Sequence, residues 1–329
     1  MTAGRPMSHD PENARSTGGG YLYVHFKRES EHGEQIYFAL SDGDDPLHFD
    51  DLNEGVPVLR STIGHRGVRD PHIVRSPSGD RFYMVATDLR VYGNDDWDVL
   101  ERHGSRSIMV WESEDLIDWG EGRLVEVAPA RAGNAWAPES VWDPEQQAYL
   151  VHWSSMLYDD PNHEGDSYHR ILCSHTRDFR TFSEPREWID RGWQTIDATV
   201  IEHGGLYYRY VKDERHRTPA TPCGKSVFSE TSPSLTGSVW TPLAEGIGLD
   251  AISQGEGPLV YKSNTEERWF LWIDEFTQER RYVPFETTDL TNGTWTIADD
   301  VRLPRDACHG VVLPVTAEEH ARLSRAWKR

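Results

Sequence analysis

One carboxylate stands out in the stretch Ser253–Lys262, which reads SQGEGPLVYK. Glu256 lies between two glycines and just before Pro258, where a short apolar run begins. A carboxylate at the mouth of a buried strand costs free energy unless it is paired or hydrogen-bonded, and the flanking glycines leave room for a ligand to approach. The stretch therefore predicts either an acid presented at the start of a strand or a solvated glutamate in a Gly-Pro turn.

Four other short strands present a polar residue in a similar way, which favours the first interpretation. The five segments are RDPHIV (Arg69–Val74), WAPESVW (Trp136–Trp142), IDATVI (Ile196–Ile201), EGPLVY (Glu256–Tyr261) and HGVVLPV (His309–Val315). If they line one channel, they bring together Asp70, Glu139, Asp197, Glu256 and His309. Two carboxylates across a gap can hydrolyse a glycosidic bond, because one activates water while the other protonates the leaving oxygen.

Two further kinds of strand recur with these segments, and the repeat predicts the architecture. Each opening strand is followed by an apolar, aromatic strand after a polar turn, and then by a strand that leads to a turn and an aromatic residue. The period of about 50 to 70 residues is typical of four-stranded blades with long loops. We therefore predict an all-β fold, a five-bladed β-propeller whose opening strands line the central channel.

The last opening strand, at His309, has little chain after it. Matching second and third strands lie at the other end of the sequence, from Tyr21 and from Gln35. We therefore predict that the N- and C-terminal segments share one blade, which closes the ring and removes exposed sheet edges. The predicted boundaries are a disordered N-terminal tail over 1–20, a catalytic propeller over 21–316 and a helical tail over 317–329.

Charge and cysteine content limit the partners and the compartment. The formal net charge of −21 over 329 residues argues against nucleic acid and against an anionic membrane, because both need a basic protein face. A neutral oligosaccharide meets no such repulsion. Three scattered cysteines, with no CxxC pair and no apolar signal segment, favour a cytoplasmic protein. The oligomeric state is unknown from the sequence.

The order of the motifs VRDPHI, WAPES, TIDATVI, GEGPLVYK and HGVVLPVT resembles glycoside hydrolase family 43, in particular its α-L-arabinofuranosidase and β-xylosidase-like members. The similarity covers nearly the whole chain. It implies a five-bladed propeller and an inverting hydrolase with three catalytic carboxylates. By this resemblance Asp70 is the general base, Glu256 is the general acid, and Asp197 orients the acid and raises its pKa.

Other residues are candidates for binding. The resemblance implies that His309 faces the channel and helps to hold a Ca²⁺ ion through waters, although a hydrogen-bonded histidine without metal fits the residues equally well. No organic cofactor is predicted. The candidate substrate-binding residues are Trp136, as an aromatic platform, and the polar residues His72, Glu139, Lys212 and Glu214.

Several alternatives stay open at this stage. A retaining β-fructosidase is disfavoured, because STIGHRGV precedes the RDP motif and Gly-Pro follows Glu256. A phosphorylase needs a basic cluster near the channel, and the opening strands contain none. The remaining candidates are a β-xylosidase or galactofuranosidase on the same scaffold, an endo-arabinanase, and a non-catalytic sugar-binding propeller.

Overall fold

Nearly all of the regular secondary structure in the described residues consists of antiparallel strands. The computed structural model describes residues 18–94, 96–277 and 281–327. Of the tail predicted over 1–20, residues 1–17 lie outside these ranges. Gly19 and Gly20 are not part of a tail, because they pair with Thr316 and Val315 and open the first strand. A Cβ atom on Gly19 would lie 2.3 Å from the backbone nitrogen of Ala317, so this close approach requires glycine.

Five four-stranded sheets form the blades of a propeller. The N-terminal strands are β1 (Gly19–Lys27), β2 (Tyr37–Ser41) and β3 (Phe49–Asp51), followed by a 3-10 turn at Asn53–Gly55. Blade 1 comprises β4 (Val68–Arg75), β5 (Phe82–Asp88), β6 (Ser107–Ser113) and β7 (Arg123–Glu126), with helix α1 (Trp97–Arg102) between β5 and β6. Blade 2 comprises β8 (Trp136–Asp143), β9 (Ala148–Met156), β10 (His169–Thr176) and β11 (Arg186–Ile189).

The second half of the chain continues the repeat. Blade 3 comprises β12 (Thr195–His203), β13 (Leu206–Asp213), β14 (Ser226–Ser232) and β15 (Thr241–Ile247). Blade 4 comprises β16 (Glu256–Lys262), β17 (Trp269–Glu275), β18 (Arg281–Thr287) and β19 (Thr296–Ile297), with a 3-10 turn at Leu290–Asn292. The chain ends with β20 (Ala307–Thr316) and helix α2 (Ala317–Trp327).

The first and last strands lie in one sheet. Strand β20 pairs with β1, with Leu22 opposite Leu313, and the order β20-β1-β2-β3 makes blade 5. The prediction of a five-bladed all-β propeller is confirmed. Helix α2 occupies the region predicted to be helical and buries Leu323 completely. Arg75 of blade 1 pairs with Glu319 of this helix.

The second strand of each blade is buried on both faces, because each blade packs between two neighbours. Strand β17 is buried along its whole length, and β9 is buried except at its last residue. Strands in such an environment are nearly continuous apolar runs rather than alternating patterns. Trp153 of β9 and Trp272 of β17 are fully buried and anchor the packing between blades.

A β-bulge interrupts the inner strand at the same place in four blades. The pairing register shifts between Arg69 and His72, and at the matching points of β8, β12 and β16. The bulge residues have left-handed backbone angles: Asp70 (φ 51), Ala137 (φ 47), Asp197 (φ 50) and Gly257 (φ 52). Such angles cost free energy for residues with a Cβ atom and are concentrated at functional sites.

Neither of the helices in the described ranges is both long enough and apolar enough to span a membrane.

Candidate active site

Asp70 projects from the bulge of β4 into a set of polar contacts. The hydroxyl of Thr87, on the neighbouring strand β5, donates to Asp70 Oδ2 at 2.8 Å. His309 of β20 brings Nδ1 to 3.5 Å from Asp70 Oδ1. Burial by itself would raise the pKa of Asp70, but the contacts with His309 and Thr87 outweigh it and hold that pKa below its ordinary value. Asp70 is therefore an ionised carboxylate at neutral pH.

Asp197 occupies the equivalent bulge in β12 but has a different environment. Its Oδ2 accepts a hydrogen bond of 3.0 Å from the backbone N–H of Gly257, and its own N–H donates to Ser154 Oγ at 3.1 Å. Burial raises the pKa of Asp197 to about 6, and the nearby carboxylates of Glu256 and Asp70 act in the same direction. Asp197 therefore lies close to both of the other predicted catalytic acids.

Glu256 forms an ion pair with a buried lysine. Lys212 Nζ lies 2.8 Å from Glu256 Oε2 and 2.7 Å from Glu214 Oε2, and Glu214 also pairs with Lys225. Burial alone would lower the pKa of Lys212, but the carboxylates of Glu256, Glu214 and Asp197 raise it above its ordinary value. Because Lys212 is 1% exposed, its ammonium group is occupied by these acids.

His309 lies at the centre of the acids. Burial would lower its pKa, but Asp70, Asp197 and Glu139 together raise the pKa of His309 to about 9. The imidazole is therefore a cation at neutral pH, and it partly compensates the negative charge that Asp70 brings into the channel. This explains how several carboxylates can be buried around one axis.

Gly257 allows His309 to take this position. A Cβ atom at Gly257 would lie 2.6 Å from Cγ of His309, so no other residue fits without a displacement. Tyr282 fastens the two strands together, because its hydroxyl donates to the carbonyl of Gly257 at 2.6 Å and accepts from the N–H of Gly310 at 3.1 Å.

A single imidazole is a weak anchor for a Ca²⁺ ion. A protonated imidazole has no lone pair to offer a metal, and Ca²⁺ prefers six to eight oxygen ligands. Within the described ranges, no group of three or more His, Cys, Asp or Glu side chains could hold a metal ion. The Ca²⁺ site stays a prediction, and no step below depends on it.

His72 of β4 and Glu139 of β8 each lie two residues after the bulge residue of their strand, and their side chains lie against each other. Their side chains approach to 3.7 Å between Nε2 and Oε2. Burial raises the pKa of Glu139 to about 8 and lowers the pKa of His72 to about 3, so both are neutral at pH 7. As a neutral pair they can exchange hydrogen bonds with each other or with a sugar hydroxyl.

Trp136 begins β8 and is held between two other rings. It stacks on His169 with 5.3 Å between ring centroids and meets Trp97 edge-to-face at 6.2 Å. These contacts fix the orientation of the Trp136 ring, and its role as a sugar platform stays a prediction.

Thr87 and Ser154 are site residues that the sequence interpretation missed. Thr87 Oγ1 accepts from the backbone N–H of Ala137 at 2.8 Å while it donates to Asp70. Ser154 Oγ likewise accepts from the backbone N–H of Asp197. Both lie opposite the residue that precedes the bulge, Arg69 or Trp136. The recurrence of a hydroxyl at this position in β5 and β9 is the signal that could have found them.

Comparisons with known proteins agree with this architecture. Residues 17–321 match the family model described as "Probable glycosyl hydrolase domain", which is related to glycoside hydrolase family 43. An α-L-arabinofuranosidase of Bifidobacterium longum subsp. longum is 33% identical over 311 residues. That match covers 84% of this chain, but the chain spans only 28% of the length of that relative.

Solved structures share the fold at low sequence identity. A thermostable family 43 glycoside hydrolase superposes with a TM-score of 0.52 at 17% identity and covers 75% of this chain and 78% of its own. A family 43 β-1,3-galactosidase gives 0.57 at 14% identity over 88% and 57%. An α-L-arabinofuranosidase from Lactobacillus brevis gives 0.50 at 15% identity over 76% of each chain.

Proposed function

The chain belongs to the glycosyl hydrolases related to family 43, and from this membership we propose that it is an inverting glycosidase that releases terminal α-L-arabinofuranose from short oligosaccharides. One observation carries the proposal: carboxylates from the inner strands of three different blades share one buried polar network. Asp197 accepts from the residue next to Glu256, and His309 joins Asp70 to the same cluster. Such a gathering of acids is costly without a functional reason.

Asp70 serves as the general base in this mechanism. Its lowered pKa keeps it ionised, so it can take a proton from a water molecule as that water attacks the anomeric carbon. The hydroxyl of Thr87 and the imidazolium of His309 fix the orientation of the carboxylate.

Glu256 serves as the general acid. In its protonated form it gives a proton to the glycosidic oxygen as the bond to the anomeric carbon breaks, and the leaving sugar departs as an alcohol. Lys212 lies beside Glu256 and stabilises the carboxylate that forms. Asp197 fixes the backbone next to the acid through Gly257. The catalytic cycle ends when Asp70 returns its proton to solvent and Glu256 takes one up.

Arabinofuranose, xylose and galactofuranose present similar hydroxyl groups, so the choice among them depends on the relatives of this chain. The curated relative is an α-L-arabinofuranosidase, and this supports arabinofuranose as the first choice. A neutral ligand suits a chain of net charge −21. The proposal includes a cytoplasmic location, which the free cysteines Cys173, Cys223 and Cys308 favour.

The test compares nitrophenyl α-L-arabinofuranoside, β-D-xyloside and β-D-galactofuranoside, and follows the anomeric configuration of the first product by NMR. We expect hydrolysis of the arabinofuranoside with inversion. Glu256→Gln should lower kcat by about 10³-fold on a natural oligosaccharide and much less on the nitrophenyl substrate, whose leaving group needs little protonation.

Glu267→Gln is the matched control, because Glu267 is an exposed glutamate near the far end of the same inner strand, paired with Lys262. It should leave both rates unchanged. A retained anomeric configuration would contradict the inverting mechanism. Undiminished activity of Glu256→Gln on both substrates would contradict the acid assignment, and binding of oligosaccharide without hydrolysis would favour the non-catalytic alternative.

A further inference from the structure

The segment between β5 and β6 exposes aromatic surface. Among the large hydrophobic side chains that are exposed in the described ranges, only Tyr92 and Trp97 are aromatic, with 48% and 45% of their surface accessible. The guanidinium of Arg90 lies 5.3 Å from the centre of the Tyr92 ring, whereas Trp97 meets its neighbour only edge-to-face. Single exposed apolar side chains are common on protein surfaces, so the informative observation is the contact of Trp97 with the Trp136 ring.

The helix that carries Trp97 is firmly fixed. Leu100 is buried with Leu89 and Val91 beneath Trp136. The guanidinium of Arg102 donates to the carbonyls of His163 and Gly165 at 2.7 and 3.1 Å. These contacts hold the buried face and the C-terminal end of α1 in place, so Trp97 is exposed on a fixed helix.

The same helix is connected to the catalytic base. Trp97 contacts Trp136, and the next residue, Ala137, donates its N–H to Thr87, which in turn donates to Asp70. Trp136 also occupies the position in β8 that Glu256 occupies in β16, directly before the bulge. The two side chains therefore project from equivalent positions of their blades, at the same end of the channel.

Trp97 lies outside Trp136 at the surface. It is exposed, whereas Trp136 is only partly exposed, and the two rings meet edge-to-face. Because the proposed enzyme releases terminal sugars, every sugar unit that lies beyond the transferred one belongs to the leaving group.

We propose that Trp97, together with Trp136, forms a subsite for a neutral sugar unit of the leaving group. Indole rings bind the C–H faces of sugars while their edges stay hydrated, and the surrounding acids exclude an anionic ligand. The inference rests on the proposed function, since it extends the same site outward. Trp97 is a binding residue here and takes no part in bond cleavage.

The experiment compares two substrates that share the transferred sugar and differ in the leaving group. One is α-1,5-linked arabinotriose, and the other is α-L-arabinofuranosyl fluoride, which has no leaving sugar. Trp97→Ala should lower kcat/KM for arabinotriose by about tenfold and leave that for the fluoride unchanged. Trp97→Phe should recover part of the loss. Val99→Ala, which truncates another exposed side chain of α1, is the matched control and should behave like wild type.

Equal losses on the two substrates would overturn the subsite, because they would indicate a disturbed catalytic centre. No loss on either would also overturn it. If the wild type hydrolyses neither substrate, the proposed function fails, and calorimetric titration with arabinotriose still decides the subsite. Weaker binding by Trp97→Ala than by wild type would support it, whereas equal binding, or no binding by either protein, would overturn it.

Discussion

Asp70 and Asp197 are the same residue in the same backbone conformation, yet their chemistry is opposite. Each is the bulge residue of an inner strand, with φ near 50°, in blades 1 and 3. The pKa of Asp70 is below its ordinary value, whereas burial raises the pKa of Asp197 to about 6. Burial acts to raise the pKa of both aspartates. Contacts from His309 and from the Thr87 hydroxyl outweigh it at Asp70, whereas at Asp197 burial and the nearby carboxylates outweigh the opposing effect of His309 and Lys212.

The repeat sets where each side chain lies in its blade, and contacts with the neighbouring blades set its protonation state. Blades 2 and 4 have the same bulge, but the residue at the bulge position is Ala137 in one and Gly257 in the other, so neither blade places an acid there. Two aspartates whose pKa values move in opposite directions are typical of a site where the environment sets the role of each carboxylate. Three predictions test this difference, from the largest effect to the smallest.

Replacement of Asp70, the ionised aspartate of the two, should have the largest effect on activity. Asp70→Asn removes the proposed base and should lower kcat by about 10³-fold, measured on nitrophenyl α-L-arabinofuranoside. Asp197→Asn should cost less, because its proposed role is to act through Glu256. Asp80→Asn, in the exposed turn after β4, is the control and should keep full activity. The comparison breaks if Asp197→Asn is the more damaging of the two.

Gly257→Ala should disturb the contact that distinguishes Asp70. The new Cβ atom would lie 2.6 Å from His309 and would hold a left-handed angle, so we expect a loss of about 3 to 4 kcal/mol in the free energy of unfolding by urea. Gly120→Ala has a similar φ of 57° with no atom within 4 Å and should cost only about 1 to 2 kcal/mol. Equal losses would mean that His309 is not tightly enclosed.

The pH dependence of stability should differ in sign between the two aspartates. Asp197 keeps its proton in the folded protein up to about pH 6, whereas the unfolded chain loses it near its ordinary pKa of 3.8. Stability therefore falls as pH rises between these values. Asp197→Asn should be more stable than wild type by about 2 to 3 kcal/mol above pH 6 and nearly equal to it at pH 3.5.

Asp70 should show the reverse. Its lowered pKa stabilises the folded protein above the ordinary pKa, and this contribution disappears as pH falls through the folded value. Urea unfolding of both Asn variants from pH 3 to 8 measures the two slopes. Parallel curves for Asp70→Asn and Asp197→Asn would show that the two environments do not differ.

Much of the fold was predictable, because strand signals are local. Polar turns between apolar runs predicted the hairpins, and the repeat of three strand types predicted five blades, including the one shared by Tyr21 and His309. The predicted tail ended too late, since Gly19 and Gly20 are in β1. Their pairing with β20 involves residues almost 300 positions away, which no local pattern reports.

The candidate site was predictable only in part. The convergence of Asp70, Asp197, Glu256 and His309 followed from their common place in the repeat. The burial of Lys212 between Glu256 and Glu214 did not, because a lysine near a strand end gives no indication of its depth. The bridging role of Thr87 was also hidden, since it links two blades through one hydroxyl.

The sequence by itself determined which residues reach the channel, because strand period and turn spacing fix which side chains share a position in each blade. Only the tertiary structure decided what those residues do there. Asp70 and His309 are 239 positions apart, and the protonation of each depends on the other at 3.5 Å. Burial and charge act through distance in space, so two identical aspartates in identical bulges acquire opposite properties.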